Sequence, residues 1–153
     1  MQIVPARPDQ AEALTQISIA AKRHWNYPER WMQIWRPLLT ISAKYIASNE
    51  TWTAVVDHEP IAYCSLTQQD GDLWLDHLWV LPEQMGKGYG KSLLEHALGR
   101  CRQRGALVLK IEADPNAQSF YERMGAYQVG ERRSEVDSQP RVLPVMEIKV
   151  YSG

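Results

Sequence analysis

Three glycines and two lysines crowd into one short stretch, Met85-Gly86-Lys87-Gly88-Tyr89-Gly90-Lys91-Ser92. An apolar run, Leu78-Trp79-Val80-Leu81, leads into it through Pro82, and Leu93-Leu94 follows. A strand feeding a glycine turn and then a helix makes an anion site. The first N–H groups of a helix lack internal acceptors, the helix dipole adds partial positive charge, and glycines let a ligand approach the backbone. A phosphate or pyrophosphate suits such a place. Two phosphate-binding patterns come close and miss. The dinucleotide pattern GxGxxG wants its last glycine one position beyond Gly90 and belongs between parallel strands. The P-loop pattern GxxxxGK[ST] finds Gly90-Lys91-Ser92 at its end, but Met85 stands where its first glycine belongs.

The elements around this turn follow from periodicity. Ile3-Val4 reads as a short strand stopped by Pro5. Pro8 and Asp9 open a helix whose apolar stripe, Leu14, Ile17, Ala20 and Ala21, runs to about Lys22. Asn26-Tyr27-Pro28 breaks it. Residues 29–39 form a second helix with Trp31, Ile34, Trp35 and Leu38 on one side, and Ser42 caps a further turn through Ile46. Residues 51–56, 61–67 and 73–81 read as three strands of an antiparallel meander, with Asp70-Gly71 as a tight hairpin turn. After the glycine turn, Leu93, Leu94, Ala97, Leu98 and Cys101 trace the buried face of a helix ended by Gly105. Residues 106–111 are a buried strand and 116–124 a short helix closed by Gly125. The last two strands are 126–129 and 145–150, joined by a polar loop around Ser138 and Pro140; the charged run 131–135 reads as a solvated strand edge or loop. The order β-α-α-β-β-β-α-β-α-β-β implies a mixed, mostly antiparallel α/β sheet flanked by helices, in a single domain over 1–153.

Composition narrows the partners. A chain of 153 residues with 44% apolar and 23% charged residues can fold without a metal or disulfide staple. A net charge of −1 lacks the basic excess of a nucleic-acid binder. No apolar run approaches the ~18 residues of a membrane span, and the first residues do not read as a signal peptide, so a cytoplasmic location is expected. Cys64 and Cys101 stand far apart without CxxC spacing, which points away from a zinc site or any other metal. Six tryptophans accompany a single phenylalanine, and three of the six fall between Trp25 and Trp35.

Val80-Leu81-Pro82 followed by Met85-Gly86-Lys87-Gly88-Tyr89-Gly90 resembles the acyl-CoA loop of the GCN5-related N-acetyltransferases (GNAT), usually written R/Q-x-x-G-x-G/A. Met85 departs from the pattern, where the family most often has Arg or Gln, and its side chain adds nothing to a grip that is mainly backbone. A second stretch, Asp114-Pro115-Asn116-Ala117-Gln118-Ser119-Phe120-Tyr121-Glu122-Arg123-Met124-Gly125-Ala126, resembles the family's asparagine-then-FYE-x-x-GF segment. The two motifs come in the right order, separated by a helix and a strand, and the resemblance spans residues 51–130.

The resemblance implies an N-acetyltransferase in which a primary amine, on a small molecule or an exposed amino group, attacks acetyl-CoA directly in a ternary complex. It implies a β-bulge before the glycine loop, where Leu78, Trp79 and Val80 pair with the pantetheine arm. The backbone from Met85 to Lys91 would hold the pyrophosphate, Asn116 would reach the CoA, and Tyr121 would stand near its sulfur and protonate the thiolate. Asp76 and His77 are the candidates for the base; strand alternation aims at most one of them into the cleft, and either suits a solvent-facing position equally. The acceptor pocket falls to the first helices and their loop: His24, Trp25, Tyr27, Glu29 and Trp31, with Trp35 beyond. Aromatic walls there suit an organic amine through cation–π contact, and Trp31 and Trp35 suit a small core just as well. A homodimer is left open. The alternative function is a non-catalytic acyl-CoA-binding module of the same fold.

Overall fold

The structure, a computed structural model, describes residues 1–150. Along the chain lie β1 (Gln2–Pro5), α1 (Ala11–Arg23), α2 (Glu29–Leu39), α3 (Ala43–Ser48), β2 (Glu50–Val56), β3 (Glu59–Gln69), β4 (Asp72–Val80), α4 (Tyr89–Gln103), β5 (Val108–Glu112), α5 (Gln118–Arg123), β6 (Tyr127–Val136) and β7 (Gln139–Lys149). The seven strands form one sheet in the order β1-β2-β3-β4-β5-β7-β6. Every neighbouring pair is antiparallel except β4 and β5. The mixed, mostly antiparallel α/β architecture is the one the sequence implies, with α3 as the turn that Ser42 caps by accepting from the Tyr45 N–H.

Local chemistry explains the hairpins. Asp57-His58, Asp70-Gly71 and Asp137-Ser138 all hold positive φ, the tight-turn geometry whose twist matches the flanking strands. The core lies on both faces of the sheet. On one face, Leu93, Leu94, Ala97 and Cys101 of α4 pack against Cys64, Leu75, Leu109 and Ile111. On the other, Leu14 and Ile17 of α1 pack with Ile41, Ile46 and Tyr63.

Three local expectations are corrected. β1 runs through Pro5, which faces Trp52 at the sheet edge, where a missing N–H does no harm. The face of α2 that is buried carries Met32 and Leu39, whereas Ile34 and Leu38 are 43% and 73% exposed. The last two strands are much longer than expected and meet at a two-residue turn, not a loop. All of β6 except Val136 is exposed, so it shows no apolar alternation. The Arg30 guanidinium on α2 pairs with Asp137 at the hairpin tip, 2.9 Å apart.

Candidate active site

The parallel seam between β4 and β5 is three residues long: Leu73 faces Leu109, Trp74 faces Lys110, and Leu75 faces Ile111. Past that point β4 continues through Asp76–Val80 bonded to β3 alone, and β5 turns away toward β7. The split opens a cleft of about 560 Å³, walled by both strands, the glycine turn and α5. Leu78, Trp79 and Val80 line it with one strand edge unpaired.

At one end stands the N-terminus of α4. Gly86 and Gly88 hold φ of +79° and +87°, a backbone that side chains resist, and a Cβ on either would meet open space. The first helical bond joins the Ser92 N–H to the Gly88 carbonyl at 3.0 Å. The N–H groups of Tyr89, Gly90 and Lys91 therefore have no acceptor within the helix. Met85, Gly86, Gly88, Tyr89, Gly90 and Lys91 all line the cleft. Gly90 packs its α-carbon close to Phe120 and Val80, where a Cβ would sit 3.5 Å from the ring. Lys87 lies outside the lining, with its ammonium on Gln84 Oε1 at 3.2 Å.

The β-bulge sits at Asp76, before Leu78, Trp79 and Val80 and not among them. Ser65 faces His77 and Leu66 faces Leu75, so Asp76 is the extra residue. The bulge cancels the alternation expected of a regular strand. Asp76 Oδ2 lies 3.6 Å from His77 Nε2, and both side chains meet Tyr45 of α3. The Tyr45 hydroxyl donates a short hydrogen bond to Asp76 Oδ2 and sits 2.9 Å from Ser65 Oγ. Burial, then the bond to Asp76, pushes the Tyr45 phenol far above its usual range. The Trp79 indole N–H donates to His77 Nδ1 at 2.9 Å. Burial lowers the His77 pKa, and the Asp76 charge opposes that shift. Asp76 lines the cleft; His77 is not part of its wall.

Tyr121 lines the cleft from α5 and is 7% exposed. Its hydroxyl hydrogen-bonds to none of the described residues, and burial pushes its pKa well above the usual phenol value. Asn116 lines the cleft too, but its amide is held from behind, donating to the Tyr27 hydroxyl at 2.9 Å and to Asp114 Oδ1 at 3.0 Å.

Asp114 is the hub behind this wall. It accepts from Lys22 Nζ at 2.5 Å, from the Tyr27 hydroxyl at 2.9 Å and from the Asn116 N–H at 2.8 Å. Arg141 of β7 lies 3.8 Å away and donates to the Tyr27 oxygen. Lys22 and Arg141 also lie over the Trp35 ring, at 4.3 and 4.8 Å from its centre. Burial raises the Asp114 carboxyl, but the Lys22 charge and hydrogen bond outweigh it and hold the group below the usual range. At Lys22 the balance reverses: burial, helped by Arg141, outweighs Asp114 and lowers the ammonium pKa. Asp114 is the better guide to the charge state of the pair, because it collects donors from several elements.

Of the residues expected to bind an acceptor, Trp25 lines the cleft and is 39% exposed, with the His24 ring edge-on to it. Tyr27 is committed to Asp114, its hydroxyl pushed up to about 12 by burial and then by that carboxylate. Trp31 stacks on Tyr27, and Glu29 pairs with Arg23 at the surface. These last three stand outside the cleft lining. Sequence reasoning did not single out Lys22, Tyr45, Glu112 or Asp114. Lys22 carried a signal: it falls beside the apolar stripe of α1, where a charge stays only with a partner.

A profile described as the acetyltransferase (GNAT) family matches residues 12–126. The peptidyl-lysine N-acetyltransferase YjaB of Salmonella typhimurium is 35% identical over 98 residues, covering 63% of this chain and 62% of that protein. YjaB of Escherichia coli is 31% identical over 103 residues, 67% of this chain and 64% of that one. The chain thus matches less than two-thirds of the length of these curated relatives. The PaiA N-acetyltransferase of Thermoplasma acidophilum, solved with coenzyme A, superposes with a TM-score of 0.77 at 20% identity over 97% of this chain and 98% of its own. The extent of the profile match, over a sheet split beside a glycine-capped helix, places this chain in the acetyltransferase (GNAT) family.

Proposed function

We propose that the chain is an N-acetyltransferase that moves an acetyl group from acetyl-CoA to a primary amine, with a lysine side chain of a peptide or protein as the acceptor class. The observation that carries this reading is the cleft itself. One opening joins a helix N-terminus suited to phosphate to a carboxylate at a strand bulge, with a phenol on the wall whose hydroxyl hydrogen-bonds to none of the described residues. Both YjaB relatives are named for peptidyl-lysine, which favours that acceptor over other amines.

In this reading the α4 N-terminus takes the pyrophosphate, and the open edge of β4 takes the pantetheine arm. Asp76 receives the amine proton, directly or through water, as the nitrogen attacks the thioester carbon. The C–S bond then breaks, and Tyr121 gives its proton to the departing thiolate. Burial keeps that phenol protonated until then. Holding both substrates in one cleft replaces a bimolecular encounter.

Thiol release from acetyl-CoA with a blocked lysine peptide tests the proposal. Asp76→Asn should lower kcat by about 10²–10⁴ and leave acetyl-CoA affinity unchanged. Tight acetyl-CoA binding without release, across a panel of amines, would instead favour the non-catalytic binding module.

A further inference from the structure

His77 and Tyr45 face the Asp76 carboxylate from two sides, and neither forms part of the cleft wall. The indole N–H of Trp79 occupies the Nδ1 lone pair of His77. A neutral imidazole has one N–H and one lone pair, so the proton sits on Nε2, the nitrogen 3.6 Å from Asp76 Oδ2. His77 in this state has no lone pair free to accept a substrate proton. Tyr45 offers Asp76 a second hydrogen, since its oxygen can receive the Ser65 hydroxyl while its own proton goes to the carboxylate.

We infer that His77 and Tyr45 are positioning residues: they fix the place and orientation of the bulged Asp76 carboxylate, while Trp79 fixes the tautomer of His77. This rests on the acetyl-transfer reading only for what Asp76 then does. The chain of contacts runs Trp79, His77, Asp76, Tyr45, Ser65: hydrogen bonds join Trp79 to His77 and Tyr45 to both Asp76 and Ser65, the His77–Asp76 link is an approach of 3.6 Å, and the chain crosses from β4 to α3 and β3. The bulge makes it, because a regular strand would send Asp76 and His77 to opposite faces. The titratable groups around Asp76 are Tyr45 from α3, Tyr63 from β3 and His77 from β4 itself. From β5 and the loop after it, Glu112 and Asp114 line the same cleft, paired with Arg132 at 3.2 Å and with Lys22. Among the described residues no lysine or arginine pairs with Asp76, so its side-chain partners are Tyr45 and His77.

Two measurements decide the matter. Long-range ¹⁵N NMR of the wild-type protein at pH 7 should show His77 neutral with its proton on Nε2. A proton on Nδ1, or an imidazolium, overturns the inference without reference to activity. Tyr45→Phe and His77→Leu should each lower kcat about tenfold with the KM for acetyl-CoA unchanged. His77→Gln, which keeps an N–H at that place, should restore most of the kcat that His77→Leu loses. An unchanged kcat in both Tyr45→Phe and His77→Leu, or a fall in kcat that His77→Gln does not restore, would overturn the positioning role. The ¹⁵N spectrum reads the His77 tautomer without turnover. An inactive protein would then count against acetyl transfer, while the His77 tautomer judges the positioning.

Discussion

Leu75 on β4 and Ile111 on β5 are the last residues of those strands to face each other, and both are buried in the core under α4. The next residues along, Asp76 and Glu112, line the cleft. Sheet pairing thus ends where the chemistry begins, and the core beneath Leu75 and Ile111 fixes where the opening starts.

Gly88→Glu should abolish acetyl-CoA binding. The added carboxylate would occupy the open space at the start of α4 and repel phosphate, and the residue would also have to hold φ near +87°. Calorimetry on the folded variant checks this, with a melting curve to show that the fold survives. Undiminished CoA affinity would remove the glycine turn from the cofactor site.

Tyr121→Phe should lower turnover about tenfold or more while leaving acetyl-CoA affinity nearly unchanged. Its hydroxyl hydrogen-bonds to none of the described residues, so removing it leaves no buried hydrogen-bond partner unpaired, and Tm should move little. Steady-state kinetics beside a thermal melt make the comparison. A large fall in Tm would point to a structural role for the hydroxyl.

Asp114→Asn should weaken the fold, because it strands the Lys22 ammonium, whose side chain is only 11% exposed, beside Arg141. Breaking a buried pair from one side costs about 3–5 kcal/mol. The pH dependence has a definite sign. The folded Asp114 pKa lies below the usual carboxylate value, so its stabilisation is present above about pH 4, the unfolded value, and is lost as pH falls through the folded pKa. Urea unfolding between pH 5 and pH 2.5 should show a steeper loss in the wild type than in Asp114→Asn. Parallel curves would mean that the carboxylate is not ionised in the native cluster.

Cys64 and Cys101 should resist thiol reagents at pH 8 until the chain unfolds. Both are fully buried, and burial pushes their thiols to about 12 and about 11. Ellman titration with and without denaturant counts them. Fast reaction of either thiol in the native protein would contradict that burial.

What the sequence revealed follows the range of the physics. Asp70-Gly71 and the glycine turn are legible because their chemistry is local: each needs φ values that few residues supply. The length of β6 was hidden, since both its faces meet solvent and no apolar alternation marks it. The bulge at Asp76 was hidden for another reason. It is a mismatch of register against Ser65 and Leu66, and register lives in a pair of strands. Asp114 stood inside a recognised motif, yet its partners come from two distant segments, Lys22 and Tyr27 at the end of α1 and the loop after it and Arg141 on β7, so only folding assembles them.

The three-residue seam also bears on how the molecule breathes. Strands β1 to β4 and strands β5 to β7 are two hydrogen-bonded ladders, stitched by the pairs from Leu73 to Leu75 and by the one core that α4 packs across them. Slow amide exchange should therefore sort into two families, one on each side of the seam, with different opening free energies. A ligand lying along the split would bond to one ladder and pack against the other. It would act as the missing strand, and its arrival would merge the two families into one.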